Sequence, residues 1–220
     1  MPTPSTSATS DLEYVVATIA GTAVANEAYF GELDAVAGDG DFGFSLARGF
    51  EILLADWERL DRGTPSDFLE QAALVISERA GGTSGPLWGT AFLRAAAAVR
   101  DRASMDEVTG ADAVAMLRAA AEGVKARGGS DLGDKTLLDA LIPMTDALEE
   151  RLATGKGRGA DLAAVAAARA RAAADATTPM PARRGRQSYT GERSIGSPDP
   201  GAVAVAVMAE RIAADWDARG

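Results

Sequence analysis

The chain has 220 residues, with 22 lysines and arginines against 32 aspartates and glutamates, and its net charge of −10 is a poor match to nucleic acid or an anionic membrane. Cysteine and histidine are both absent, so disulfides, thiolate or imidazole metal sites, Ser-His-Asp triads and phosphohistidine carriage are excluded, and any metal must sit on oxygen. Alanine is roughly a fifth of the chain and aromatics only 5%, which favours helix because alanine loses least on entering one.

The length suits one globular domain, placed at residues 11–220 behind a Ser-, Thr- and Pro-rich tail at residues 1–10 that is expected to be disordered. No apolar run approaches the roughly 18 residues of a membrane span. Met1-Pro2-Thr3-Pro4-Ser5 lacks the basic flank and apolar stretch of a signal peptide, and a soluble, cytoplasmic protein is expected.

Ser10-Asp11-Leu12-Glu13 has capping-box spacing and starts a first helix, with Leu12, Val16, Ile19, Ala23 and Phe30 on one face. That run ends in Gly38-Asp39-Gly40-Asp41-Phe42-Gly43. A second helix is predicted from about Phe44 to Arg62, and a third from Asp67 to Arg79 after Thr64-Pro65-Ser66, stopped by Gly81-Gly82-Thr83-Ser84-Gly85. The fourth begins near Pro86. Thr109 caps a fifth with the stripe Val114, Leu117, Ala121 and Val124, ended by Gly128-Gly129. The sixth runs from Asp134 or Lys135 to about Ala153 with a kink expected at Pro143, and the alanine-rich seventh spans Ala160 to Ala176. In the eighth, Pro200 to Trp216, the alternation of Val203, Val205 and Val207 suggests a strand, but the stripe Val205, Met208, Ile212 and Trp216 favours helix. The pattern therefore predicts an all-α antiparallel bundle of eight helices. The Pro-, Gly-, Ser- and Arg-rich segment 177–199 has no helical period and is read as a lid.

Three features carry chemistry. Asp34, Asp39 and Asp41 can converge if Gly38, Gly40 and Gly43 let the backbone fold back. Three carboxylates suit a hard divalent ion, Mg²⁺ before Ca²⁺ or Mn²⁺, although Asp and Gly are also ordinary turn residues. The glycine-rich turn Gly81 to Pro86 opens a helix and could receive a phosphate, as could many plain helix-helix turns. Finally, the segment 177–199 carries Arg183, Arg184, Arg186 and Arg193 in an acidic protein. These suit either phosphoryl-charge neutralisation or pairing with surface carboxylates, and spacing alone leaves both open.

Taken in order, Leu33-Asp34, Gly38-Asp39-Gly40-Asp41, Gly82-Thr83-Ser84-Gly85-Pro86-Leu87, Gly133-Asp134-Lys135-Thr136 with Leu138-Asp139-Ala140-Leu141, Gly185-Arg186 with Ser188-Tyr189, Gly191-Glu192-Arg193-Ser194-Ile195-Gly196 and Asp199-Pro200-Gly201-Ala202 closely resemble the L subunit of dihydroxyacetone kinases, DhaL. The similarity runs from about Leu12 to Trp216. It implies an eight-helix antiparallel barrel with the nucleotide at one end, and two Mg²⁺ ions on Asp34, Asp39 and Asp41 bridging the phosphates of ADP or ATP. It further implies nucleotide contacts from Phe42, Gly43, Phe44, Ser45, Thr83, Ser84, Gly128, Leu137, Arg186, Asp199, Pro200 and Gly201, with Arg186 offsetting negative charge during transfer.

The implied reaction moves a phosphoryl group to dihydroxyacetone, or a related short ketose such as erythrulose, held on a histidine of a separate DhaK-type subunit. The donor is ATP, or bound ADP that a DhaM-type phosphotransferase subunit rephosphorylates. The family typically has histidine where Phe42 stands, asparagine where Ser45 stands and histidine near Ser197, so nucleotide affinity, nucleotide exchange or the ketose can differ here. A second class of function, an Mg-ADP-binding regulatory protein acting through protein contact, would share the metal site; the retained Arg186 favours the enzyme.

Overall fold

A computed structural model describes residues 10–82, 84–155, 157 and 159–218. Among these residues there are nine α-helices and no strand: α1 (Asp11–Ala25), α2 (Glu27–Ala35), α3 (Phe42–Ala55), α4 (Pro65–Arg79), α5 (Ser84–Ala98), α6 (Gly110–Gly128), α7 (Leu138–Ala153), α8 (Gly159–Ala176) and α9 (Pro200–Asp215). The all-α expectation holds, and Val203, Val205 and Val207 are helical. The tail at residues 1–9 lies outside the described residues. No helix among the described residues is long and apolar enough to cross a membrane.

The helix starts follow the local chemistry of the sequence. Ser10 and Glu13 form a reciprocal capping box, as do Thr109 and Asp112. Thr64 accepts from the Asp67 amide with Pro65 just inside α4, and Gly129 ends α6 in the left-handed region at φ +60°. Three boundaries differ from expectation. The first predicted helix is two, α1 and α2, because Asn26 leaves helical geometry at φ −109°, ψ 18° while its side chain donates to the Thr22 carbonyl at 2.9 Å. The helix predicted to reach Arg62 ends at Ala55, and Arg62 instead donates to the Leu60 and Trp57 carbonyls and to Glu13. The sixth predicted helix starts at Leu138, three residues after Lys135, whose φ of +62° is incompatible with helix. Helix α7 then runs through Pro143.

From α3 onward each helix packs on the next, α9 returns to α1 and α1 rests on α3, so the packing partners form a closed circuit with α2 against α3 and α9. Phe30, Leu46, Phe50, Leu53, Phe68, Ile76, Leu138 and Val203 are wholly or almost wholly buried. Small residues set the spacing of α8 and α9: Ala166, Ala170 and Ala174 on one and Ala202, Ala206 and Ala209 on the other are buried, which lets the two backbones approach closely. Within the circuit lies an almost wholly apolar cavity of about 500 Å³, lined among others by Leu12, Val16, Phe92, Met116, Met144 and Met208. The segment 177–199 carries a nine-residue 3₁₀ stretch, Arg186–Ser194, broken at Gly191.

Candidate metal centre

The chain reverses direction between α2 and α3, and this reversal builds the site. Asp34, in the last turn of α2, is 9% exposed, and its Oδ2 accepts the Gly40 amide at 3.0 Å. Two glycines are required by close approach. A Cβ on Gly38 would stand 2.2 Å from Asp34 Oδ1, and one on Gly43 would stand 1.9 Å from the Glu27 carbonyl oxygen. Folding back in this way gathers one oxygen each from Asp34, Asp39 and Asp41 within 4.8 Å of one another.

Three like charges at this separation repel unless a cation lies among them. Asp34 also sits at the negative end of α2, where a carboxylate is disfavoured, whereas Asp41 opens α3, where it is favoured. Asp41 makes no capping bond. It accepts instead from Arg186 Nη1 at 2.9 Å, and the same guanidinium nitrogen pairs with Asp39. Arg186, Asp39 and Asp41 all remain about half exposed, with side-chain exposures of 55%, 46% and 48%. The donor set fits a hard divalent cation: all the ligand atoms are carboxylate oxygens, and the chain has no imidazole or thiolate to compete.

The glycine-rich turn before α5 adjoins this cluster. The Gly81 amide donates to the Ser45 carbonyl at 3.2 Å, tying the turn to the first turn of α3. Gly82 takes φ +58°, and a Cβ there would lie 4.0 Å from Arg186 Nη2. Ser84 opens α5, and Thr83 lies outside the described residues. Of the residues that begin α3, Gly43 and Ser45 are buried, Phe42 packs against Phe30 with ring centroids 6.1 Å apart, and Phe44 is 58% exposed beside Arg48.

The remaining expected residues form a second group. Gly128 ends α6 next to Leu87 of α5. Leu137, just before α7, abuts Gly201, which follows Asp199 and Pro200 at the start of α9. Asp199 is buried and caps α9 by accepting the Ala202 amide at 2.7 Å. Burial pushes its pKa up to about 7; the Ala202 bond opposes this, nearby Asp139 adds to it and the charge of Lys135 opposes it.

Sequence reasoning gave no role to two buried charged residues beside this second group. Asp139 accepts the amides of Gly133 and Thr136 and closes the turn before α7. Lys135 is 1% exposed and lies beneath segment 177–199. The signals for them were the strings Gly133-Asp134-Lys135-Thr136 and Leu138-Asp139-Ala140-Leu141, both quoted for the resemblance.

Comparison with known proteins identifies the family. Residues 36–214 match the family described as the DAK2 domain. The ADP-binding subunit DhaL of the PEP-dependent dihydroxyacetone kinase of Escherichia coli K12 is 37% identical over 185 residues, 84% of this chain and 86% of that subunit. The L-erythrulose 1-kinase of Mycolicibacterium smegmatis is also 37% identical over 185 residues, but this chain spans only 31% of its length. The dihydroxyacetone kinase of C. freundii has a similar fold, with a TM-score of 0.73 for its native form and 0.68 for its complex with AMP-PNP and Mg²⁺. The identity is 24% in both cases, over 91% of this chain and 33% of that one.

Proposed function

The chain belongs to the DAK2 domain family, and on that premise we propose that it is the nucleotide-binding subunit of a dihydroxyacetone-type kinase. The observation that carries this reading is the convergence of Asp34, Asp39 and Asp41 under the Arg186 guanidinium, beside the Gly81-Gly82 turn. The relatives are named as kinases, and the E. coli subunit is named ADP-binding.

In this reading the three aspartates hold Mg²⁺, two ions in all, which neutralises phosphate charge on ADP or ATP. Ser45, Ser84 and the backbone of the glycine-rich turn receive the phosphates, while Gly128, Leu137 and the start of α9 border the rest of the nucleotide. Arg186, carried on the 177–199 lid, moves its charge from Asp39 and Asp41 to the phosphoryl group in transit. The acceptor is a hydroxyl of dihydroxyacetone or a related short ketose on a DhaK-type partner; with no histidine, this chain offers no imidazole to hold that ketose itself. The donor is ATP, or ADP rephosphorylated in place by a DhaM-type subunit.

Calorimetry of the purified chain tests the core of this reading. ADP should bind only with Mg²⁺, and Asp39→Ala should weaken that binding about 100-fold, near 3 kcal/mol. Binding indifferent to Mg²⁺ or to the substitution would overturn it. Mixing the chain with its DhaK-type partner, ATP and a panel of ketoses then identifies acceptor and donor. Turnover on ATP alone assigns direct transfer, and turnover only with the phosphotransferase subunit assigns the shuttle.

A further inference from the structure

Lysine is among the residues least often fully buried, because its ammonium gives up water and its long stem gives up rotamers. Lys135 nevertheless is 1% exposed, and its backbone holds the left-handed region at φ +62°, which an L residue adopts at a cost. The turn 133–137, closed by Asp139, drives this one side chain inward.

The ammonium's hydrogen bonds all go to backbone carbonyls, with the buried Asp199 carboxyl near enough to feel its charge. Its three N–H donors reach the oxygens of Met180 at 3.1 Å, of Ser197 at 2.7 Å and of Ser194. Met180 lies on the outgoing limb of the 177–199 segment; Ser194 and Ser197 lie on the returning limb. Other bonds of this neck join limb to limb or limb to turn, among them Gly196 N to Thr178 O at 2.9 Å, Ala182 N to Ser194 Oγ at 2.9 Å, Asp199 N to Thr177 Oγ1 at 2.8 Å, Arg183 N to Asp134 O at 3.1 Å and Arg184 Nε to Asp134 Oδ2 at 3.4 Å. Lys135 alone among these gathers both limbs onto one atom. Beyond the neck the loop carries Arg186 out to Asp39 and Asp41.

We propose that Lys135 is a positioning residue whose ammonium closes the neck of the 177–199 lid and thereby holds Arg186 over the Asp34, Asp39 and Asp41 cluster. It acts through Arg186 and does not touch the nucleotide. This rests on the kinase reading only for the consequence in turnover; closure of the neck is read without nucleotide.

The chain has three lysines, Lys125, Lys135 and Lys156. Acetylation of the native protein with acetic anhydride should modify Lys135 at least tenfold more slowly than Lys125, whose side chain is 40% exposed; equal rates would overturn the proposal. In Lys135→Met, which keeps the stem and orphans the carbonyls, hydrogen exchange over residues 178–197 should quicken about tenfold while α4 to α6 keep their protection. Unchanged exchange in the lid, or an equal increase everywhere, would refute it.

Should that variant not fold, Lys135→Cys supplies a unique thiol, since the chain has none. Aminoethylation of the unfolded chain with 2-bromoethylamine restores an ammonium and should restore lid protection on refolding, whereas capping with iodoacetamide should not. Equal protection from both reagents counts against the neck, and if neither form refolds the acetylation rates decide. In the assembled kinase, Lys135→Met should lower kcat with Mg-ADP affinity within threefold. Arg186→Ala should then cost less than threefold in that background; a full loss there would show that Arg186 does not depend on Lys135. A native chain without turnover would sink the kinase reading and leave the exchange and acetylation results standing.

Discussion

The two halves of the site are held by opposite means. The carboxylate half, residues 34–45, is closed by a bond between residues six apart, Asp34 to Gly40, and by glycines that let α2 and α3 touch. The guanidinium half, residues 177–199, is closed by Lys135, whose carbonyl partners lie 45 to 62 residues away. The first is a local fold of the chain, formed once α2 and α3 meet. The second exists only when the circuit of helices is complete, because its anchor belongs to the turn before α7. A carboxylate loop built locally is rigid by construction, whereas a segment hung on distant contacts is the kind that can open without unfolding the domain.

The largest expected effect attacks the local half. Gly43→Ala would drive a methyl into the Glu27 carbonyl, and urea unfolding should show a loss of about 4 kcal/mol or no folded protein. A loss under about 1 kcal/mol would show the crossing to be slack. On the lid, Arg186→Ala should reduce turnover about 10³-fold, near 4 kcal/mol, and leave Mg-ADP affinity within about threefold. Without nucleotide the same change should raise Mg²⁺ affinity, since the guanidinium no longer competes for Asp39 and Asp41. Unaltered turnover would remove Arg186 from the reaction.

Next comes Asp199, beneath the lid. Its pKa rises from 3.8 in the unfolded chain to about 7 in the fold. Between those values the native state keeps a proton that the unfolded state has released, so stability falls as pH rises from about 4 to 7 and is level above. Asparagine can cap a helix without titrating, so Asp199→Asn should flatten that slope, a difference on the order of 4 kcal/mol at pH 8 in melting experiments. Asp131, held low by its bond to Lys125, and Glu210, held low by Arg171, act in a separate window: their contribution is present above their ordinary pKa and lost as pH falls below about 4. The smallest effect is Ser194→Ala, which deletes bonds to Ala182 N and Gly191 O. Exchange over residues 182–194 should quicken about fivefold, near 1 kcal/mol, with the global melting temperature unmoved.

The same division separates what the sequence revealed from what it hid. Ser10 with Glu13, Thr109 and Gly129 act on neighbours within a few residues, and they marked the start of α1 and both ends of α6. The glycines between Asp34 and Gly43 foretold the carboxylate cluster for the same reason. Asn26 was missed because Leu12 to Phe30 keeps a single helical period across the break. The neck was missed because carbonyl acceptors belong to every residue: nothing in the letters of Met180, Ser194 or Ser197 says that a lysine will seek their backbones. Asp199 was named only as a nucleotide contact that the resemblance implies; its burial, beside Asp139 and Lys135, is a tertiary feature that the letters do not carry.

The hollow inside the ring of helices has a volumetric consequence. Space lined by leucine, valine and methionine side chains is poorly hydrated, and unfolding hands those walls to water, so the denatured chain should occupy less room than the native one. Hydrostatic compression should therefore unfold this domain at room temperature more readily than a solidly packed helical protein of equal thermal stability, and Ala120→Leu, set in the cavity wall, should raise the pressure it withstands.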